Sequence, residues 1–142
     1  MRRVLCVTLF LLVSGLLVGA AAAQPAPQVF PRILINARYV YVTSYDGDQF
    51  NPNILPDDRQ AISAVQDAIQ KWGRYVVVYQ PRKADMILMV QSRPTEDVLA
   101  VYDARGWPEQ TYLWRAMGRE GLQSGETPLF TQLRTAVEKS DK

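Results

Sequence analysis

The chain has 142 residues, of which 48% are hydrophobic and 21% charged, with 16 basic against 14 acidic side chains. That length suits one domain whose core is large enough to fold alone, and the composition excludes a globally disordered chain. Arg2 and Arg3 lie in a segment expected to be removed, and without them the bases and acids balance, so no excess positive charge remains for a nucleic-acid groove or an anionic membrane surface.

The N-terminus is ordered like an export signal. Met1-Arg2-Arg3 is basic, Val4 to Val18 is almost wholly apolar, and Gly19 to Ala23 is a run of small residues. Ala21-Ala22-Ala23 offers an A-x-A site, so residues 1–23 read as a signal peptide cleaved between Ala23 and Gln24. The rest of a twin-arginine pattern is missing, which favours the general secretory route and a periplasmic or secreted protein with no stable membrane insertion after cleavage. The competing reading is an uncleaved anchor, because Val4 to Ala23 has about the length that spans a bilayer. Cys6 is the only cysteine, so the mature chain has no disulfide and no thiolate ligand. Gln24 stands where a lipoprotein needs its cysteine, and the chain has no histidine.

Residues 24–32 read as a proline-rich linker, with three prolines between Gln24 and Pro31, and residues 33–142 as the single domain. Ile33 to Thr43 alternates like a strand, with Ile33, Ile35, Ala37, Tyr39 and Tyr41 on one face and Leu34, Val40 and Val42 on the other. Ser44 to Pro56 is a polar loop. A helix is expected from Asp57 to Trp72, with Ile62, Val65, Ile69 and Trp72 as its apolar stripe and Gly73 as its stop. Strands are expected at Tyr75 to Tyr79, Met86 to Val90, Val98 to Tyr102 and Tyr112 to Met117, the last two joined as a hairpin. Met86 to Val90 is apolar at every position, as a strand buried on both faces would be. Thr127 and Pro128 then open a final helix with Leu129, Leu133 and Ala136 on its inner face. The order β-α-β-β-β-β-α predicts an α/β (α+β) fold: a two-layer sandwich of a mixed sheet of about five strands and two helices.

Three stretches carry a resemblance: Gly73-Arg74-Tyr75-Val76-Val77-Val78, Lys83-Ala84-Asp85-Met86-Ile87-Leu88 and Leu113-Trp114-Arg115. Together they resemble the small α/β domains of exported bacterial envelope proteins, including the TolB amino-terminal domain and the CsgG-like secretion proteins. The resemblance spans roughly residues 33–137 and rests mostly on core and turn positions. It implies a non-catalytic domain that works by binding envelope proteins or by assembling. It brings no catalytic residues with it, and the chain lacks the lipid-anchor cysteine common among the lipoprotein members.

Without histidine or a mature cysteine, the commonest nucleophile–base pairs are missing, as are S-x-x-K, P-loop and dinucleotide motifs. Carboxylate chemistry stays open through Asp46, Asp48, Asp57, Asp58, Asp97, Asp103 and Glu109. Asp46-Gly47-Asp48 with Asn51 and Asn53 suggests a calcium loop, but the spacing departs from an EF-hand at Phe50, Asn51 and Asp57, and a turn is favoured. No metal or cofactor is expected. Tyr39, Tyr41 and Tyr45 form an aromatic face that the helices are expected to cover, and Trp72 and Trp114 are assigned to the core. Trp107 sits in the turn Arg105-Gly106-Trp107-Pro108 with little core to enter. Arg105, Trp107 and Pro108 are therefore the candidate partner-binding residues, since tryptophan and arginine are enriched at interface hot spots. The favoured reading is an exported, non-catalytic module that contacts another envelope protein. The alternatives are a small carboxylate-dependent hydrolase and a subunit that self-associates through open sheet edges. N-terminal sequencing of the exported protein should begin at or near Gln24, and a chain still beginning at Met1 favours the anchor.

Overall fold

The computed structural model describes residues 28–123, 125 and 127–142. The signal-peptide reading, with its Ala23–Gln24 junction, lies outside the described residues. The chain forms strand β1 (Tyr39–Ser44), helix α1 (Pro56–Trp72), β2 (Val76–Val78), β3 (Met86–Ser92), β4 (Asp97–Asp103), β5 (Trp114–Gly118) and helix α2 (Pro128–Ser140). Single turns of 3-10 helix cover Arg32–Leu34 and Pro81–Lys83. The five strands make one mixed sheet in the order β2-β1-β3-β4-β5. β1 runs parallel to both β2 and β3, whereas β3, β4 and β5 are successively antiparallel. The predicted α/β sandwich of five strands and two helices is the observed one.

Local chemistry sets the helix boundaries. α1 starts with Pro56 in its first turn, and Asp57 and Asp58 place negative charge at its positive end. It ends where Gly73 takes φ 74, a left-handed conformation that glycine adopts without steric penalty, and donates its N–H to Ile69 O at 3.0 Å. α2 also begins on a proline, Pro128, but the Thr127 side chain makes no capping bond.

Strand alternation separates two faces. Val40, Val42, Met86, Leu88, Val90, Leu99, Val101, Trp114 and Ala116 belong to the core cluster that also holds the inner residues of both helices. α1 lies over β1, β2 and β3, and α2 over β4 and β5. The residues of opposite parity, among them Tyr41, Ile87, Met89, Ala100 and Tyr102, point away from both helices. The sequence expectation for the tyrosines is thus reversed: the helices cover the Val40–Val42 face and leave Tyr39 and Tyr41 on the other. The reason lies in packing and polarity. Val40 and Val42 fill the helix–sheet interface with no polar atom to satisfy, whereas the Tyr41 hydroxyl finds its acceptor, Asp48 Oδ2, on the other face.

The first strand also begins later than its alternation suggests. Pro31 opens a turn in which Leu34 N–H donates to Pro31 O and Ile35 N–H to Arg32 O, so Ile33 and Ile35 are not strand residues. The strand starts where Asp85 Oδ2 accepts the N–H groups of Arg38 and Tyr39, both at 2.9 Å. Phe30, inside the segment read as a linker, is 1% exposed and sits in the core, so the packed domain reaches back before residue 33. β5 likewise starts at Trp114 rather than Tyr112.

Ile69 is fully buried beneath α1. Ile69→Ala should lower stability by about 2–5 kcal/mol through lost burial and a residual cavity. Urea denaturation reads this directly, and an unchanged midpoint would misplace the helix face.

Candidate functional site: the helix-free face of the sheet

The helix-free face is apolar but lacks a second layer of secondary structure among the described residues. Its rows run Val78-Tyr41-Ile87-Tyr102, then Thr43-Met89-Ala100-Arg115, then Gln91-Val98-Met117. Ile87, Met89, Val98 and Ala100 are nevertheless buried. Aromatic side chains from the same face and from neighbouring turns close over them. Tyr102 donates weakly to Met89 Sδ at 3.9 Å, and Trp107 stands edge-on to the Tyr102 ring at 4.7 Å between centroids. The Arg115 guanidinium lies 5.6 Å from the centre of the Tyr112 ring. At the rim, Tyr45 is 74% exposed and Met117 45%.

Burial, reinforced by the hydrogen bond to Asp48, pushes the Tyr41 phenol up to about 12. It therefore stays protonated at neutral pH and keeps donating to Asp48 Oδ2 at 2.9 Å. Burial also raises the Tyr102 phenol. Both groups present O–H donors, and neither is a base.

The structure separates the three candidate residues of the β4–β5 turn. Trp107 is half-buried and folds back on Tyr102, so it belongs to the helix-free face. Arg105 instead forks onto Asp103, with Nε 3.0 Å from Oδ1 and Nη2 2.6 Å from Oδ2. Asp103 has the opposite parity to Tyr102 along β4, so Arg105 and Trp107 reach back to opposite sides of the strand. Pro108 is exposed at the tip, after a cis Trp107–Pro108 peptide. Trp114 is buried in the core as expected, and Trp72 packs partly buried against it, edge-on to Phe130 and Tyr75. Sequence reasoning missed Tyr102, Met89, Tyr112, Arg115 and Met117. The available signal was the unbroken apolar run of β3, which demands cover on both faces.

The acidic side chains act mainly as acceptors within the fold. Asp58, fully buried, accepts from Ser92 N–H at 2.7 Å and pairs with Arg93 at 2.9 Å. Asp97 accepts from Ser92 Oγ at 2.7 Å and Leu122 N–H at 3.0 Å. In the 46–53 loop, Asp48 Oδ1 accepts from Phe50 N–H and Asn51 Oδ1 from Asn53 N–H, both at 3.0 Å. Arg59 donates to the carbonyls of Gln49 and Asn51. These are the short-range bonds of an Asx-rich turn.

No protein-family model matches the chain, and no curated protein does. Among solved structures the chain is similar to a PelC dodecamer from Paraburkholderia phytofirmans, with 18% sequence identity and a TM-score of 0.46 over 78% of this chain and 92% of that one.

The Arg105 hydrogen bonds hold the Asp103 carboxyl below its ordinary value of 3.8, while burial opposes them. A depressed folded pKa stabilises the fold at pH above 3.8, and that stabilisation is lost as pH falls through the lowered folded value. In Arg105→Ala the side-chain bonds are lost while burial and the backbone N–H of residue 105 remain, so the Asp103 titration should move up and the acid-side slope of stability should flatten. NMR titration of the carboxyl checks the first point and urea midpoints across acid pH the second. An unmoved Asp103 titration would mean the pair does not form in solution.

Proposed function

We propose that the chain is an exported, non-catalytic binding module that contacts another envelope protein through the helix-free face around Trp107. One observation carries the reading: among the described residues, a central apolar sheet face is covered by aromatic side chains and turns, and Trp107, Tyr45 and Met117 in that cover remain partly or largely open to solvent. Aromatic rings over a rigid sheet give large contact area at low conformational cost, and loop residues on such scaffolds are where binding concentrates.

The carboxylates that a hydrolase reading needs support the non-catalytic one, because Asp48, Asp58, Asp97 and Asp103 are occupied as acceptors in the fold. Among the described residues, no group of three or more acidic side chains forms a metal-binding cluster. Export rests on the basic, apolar and small-residue order of Met1 to Ala23. No helix of the described residues is long and apolar enough to cross a membrane. The resemblance to small envelope domains points to a protein partner.

The test compares wild type with Trp107→Ala in capture from envelope extracts, quantified by mass spectrometry. The variant should lose the Tyr102 ring pair, about 0.5–1.5 kcal/mol, together with the burial of a half-buried indole, a total below the roughly 3–5 kcal/mol of a core Trp→Ala. Capture should weaken by about 2 kcal/mol or more, the hot-spot scale. A core-sized loss of stability with capture unchanged in the folded fraction would make Trp107 a packing residue and sink the proposed surface.

A further inference from the structure

β5 ends the sheet, so one side of it has no neighbouring strand among the described residues. Arg115 N–H points to that side, where it donates at 3.2 Å to the side-chain Oε1 of Gln28. A side chain thus occupies a rung that a strand would normally fill. Because N–H and C=O of one residue point the same way and alternate along an antiparallel strand, the Arg115 carbonyl and both backbone groups of Met117 face the same open edge.

A groove of about 590 Å³ lies beside this edge, between β5 and α2. Both parities of β5 line it, Trp114 from the core face and Arg115 and Met117 from the other. A groove bounded by both faces of one strand must follow the strand's edge. Among the described residues its ionic lining side chains are Arg115 and Lys139, and no carboxylate lines it. Trp114, at 4% exposure, lines it too, and the buried indole Nε1–H has no hydrogen-bond partner among the described residues. A buried donor left unpaired is costly, and its natural complement is an acceptor. Acceptors along the groove are neutral, from Gln28, Thr131, Gln132 and Thr135, so it carries positive charge with no negative charge among its described lining residues to balance it.

We propose that the β5 edge is a docking site for an extended, acidic segment of a partner protein, which adds to the sheet as a sixth strand beside α2. Backbone carbonyls of the added segment accept from Met117 N–H, and its carboxylates face Arg115 and Lys139. This mode of recognition takes affinity from main-chain pairing and specificity from the side chains alongside. The inference shares with the proposed function that the chain binds a protein, and the β5 edge adjoins the helix-free face at Arg115 and Met117 but does not include Trp107.

Two synthetic nonapeptides test it against the exported protein: one alternating Val and Glu, the other alternating Val and Lys. NMR should show the Glu peptide slowing hydrogen exchange of the Met117 amide at least tenfold and shifting the Trp114 indole N–H, with no such effect from the Lys peptide. Lys139→Glu, which leaves Arg115 facing one carboxylate, should abolish the preference. Met117→Pro removes the edge donor without removing a bond to β4, and edge strands tolerate proline. It should weaken Glu-peptide binding at least tenfold while the urea midpoint holds. If that variant fails to fold, Lys139→Glu, at an exposed helix position, carries the test alone. Trp107→Ala should leave peptide binding intact, so failure here and failure of the Trp107 surface are distinguishable. Equal binding of both peptides, protection on β2 instead of β5, or polyuronate binding in place of the Glu peptide without Met117 protection would each overturn the proposal. So would concentration-dependent self-association that alone accounts for the protection.

Discussion

β3 is apolar on both parities, and among the described residues helices cover only one of them. Met86, Leu88 and Val90 meet α1 and the rest of the core, while Ile87 and Met89 point the other way yet are also buried. Each such side chain gains roughly 1.5–3 kcal/mol from burial, so leaving the second parity in water would remove a large part of a small domain's stability. The chain answers with aromatic side chains rather than a third layer. Tyr41 and Tyr102 come from the strands themselves, and Trp107 folds in from the β4–β5 turn. Aromatic rings suit this task because one side chain covers a wide area and a phenol or indole edge stays compatible with water. A cover made this way is thin. The rings that protect Ile87 and Met89 also face outward, and the structural solution leaves an aromatic surface available for contact.

The same economy governs the acidic residues. A chain whose only cysteine lies outside the described domain holds its strand ends without disulfides. Asp85 pins the start of β1 by accepting two successive backbone N–H groups. Asp58, from the first turn of α1, reaches Ser92 and Arg93 at the end of β3, and Asp97 ties the start of β4 to Ser92 and to Leu122. Hydrogen bonds to a charged acceptor are stronger than neutral ones, and a buried carboxylate without such partners would be costly. Of the carboxylates that looked in sequence like candidate catalytic groups, Asp58 and Asp97 thereby hold secondary structure together.

Much of this was legible in the sequence where one signal dominated. Pro56, Asp57 and Asp58 marked the start of α1 and Gly73 its end, and the apolar run at Met86 marked the central strand. The failures have physical causes. Ile33, Leu34 and Ile35 satisfy an alternating pattern, but Pro31 fixes a turn just before them, and Asp85, which sets the true strand start, is 46 residues away from Tyr39 in sequence. Period-two alternation also shows that a strand has two faces without showing which one a helix will cover. That choice depends on the polar atoms of Tyr39 and Tyr41 against the valines between them. Trp107 was singled out for its place in a turn, whereas its position is defined by Tyr102, and nothing in the local spacing ties the two rings together.

The face and the edge of β5 are linked by strand geometry. Arg115 and Met117 point their side chains onto the helix-free face while their backbone groups point along the open edge. A strand added at that edge would continue the pleat, and every second side chain of it would stand beside Arg115 and Met117 on the aromatic face. Its carboxylates of that parity would meet Arg115, whose guanidinium already stacks on Tyr112. The remaining parity would turn toward α2 and Lys139. One extended segment would in this way enlarge the open face by a full strand and bring negative charge to its rim beside Arg115. A partner bound across Trp107 would then encounter a wider surface than β1 to β5 alone present, and occupancy of the edge would influence the face through contact rather than through any rearrangement of the fold.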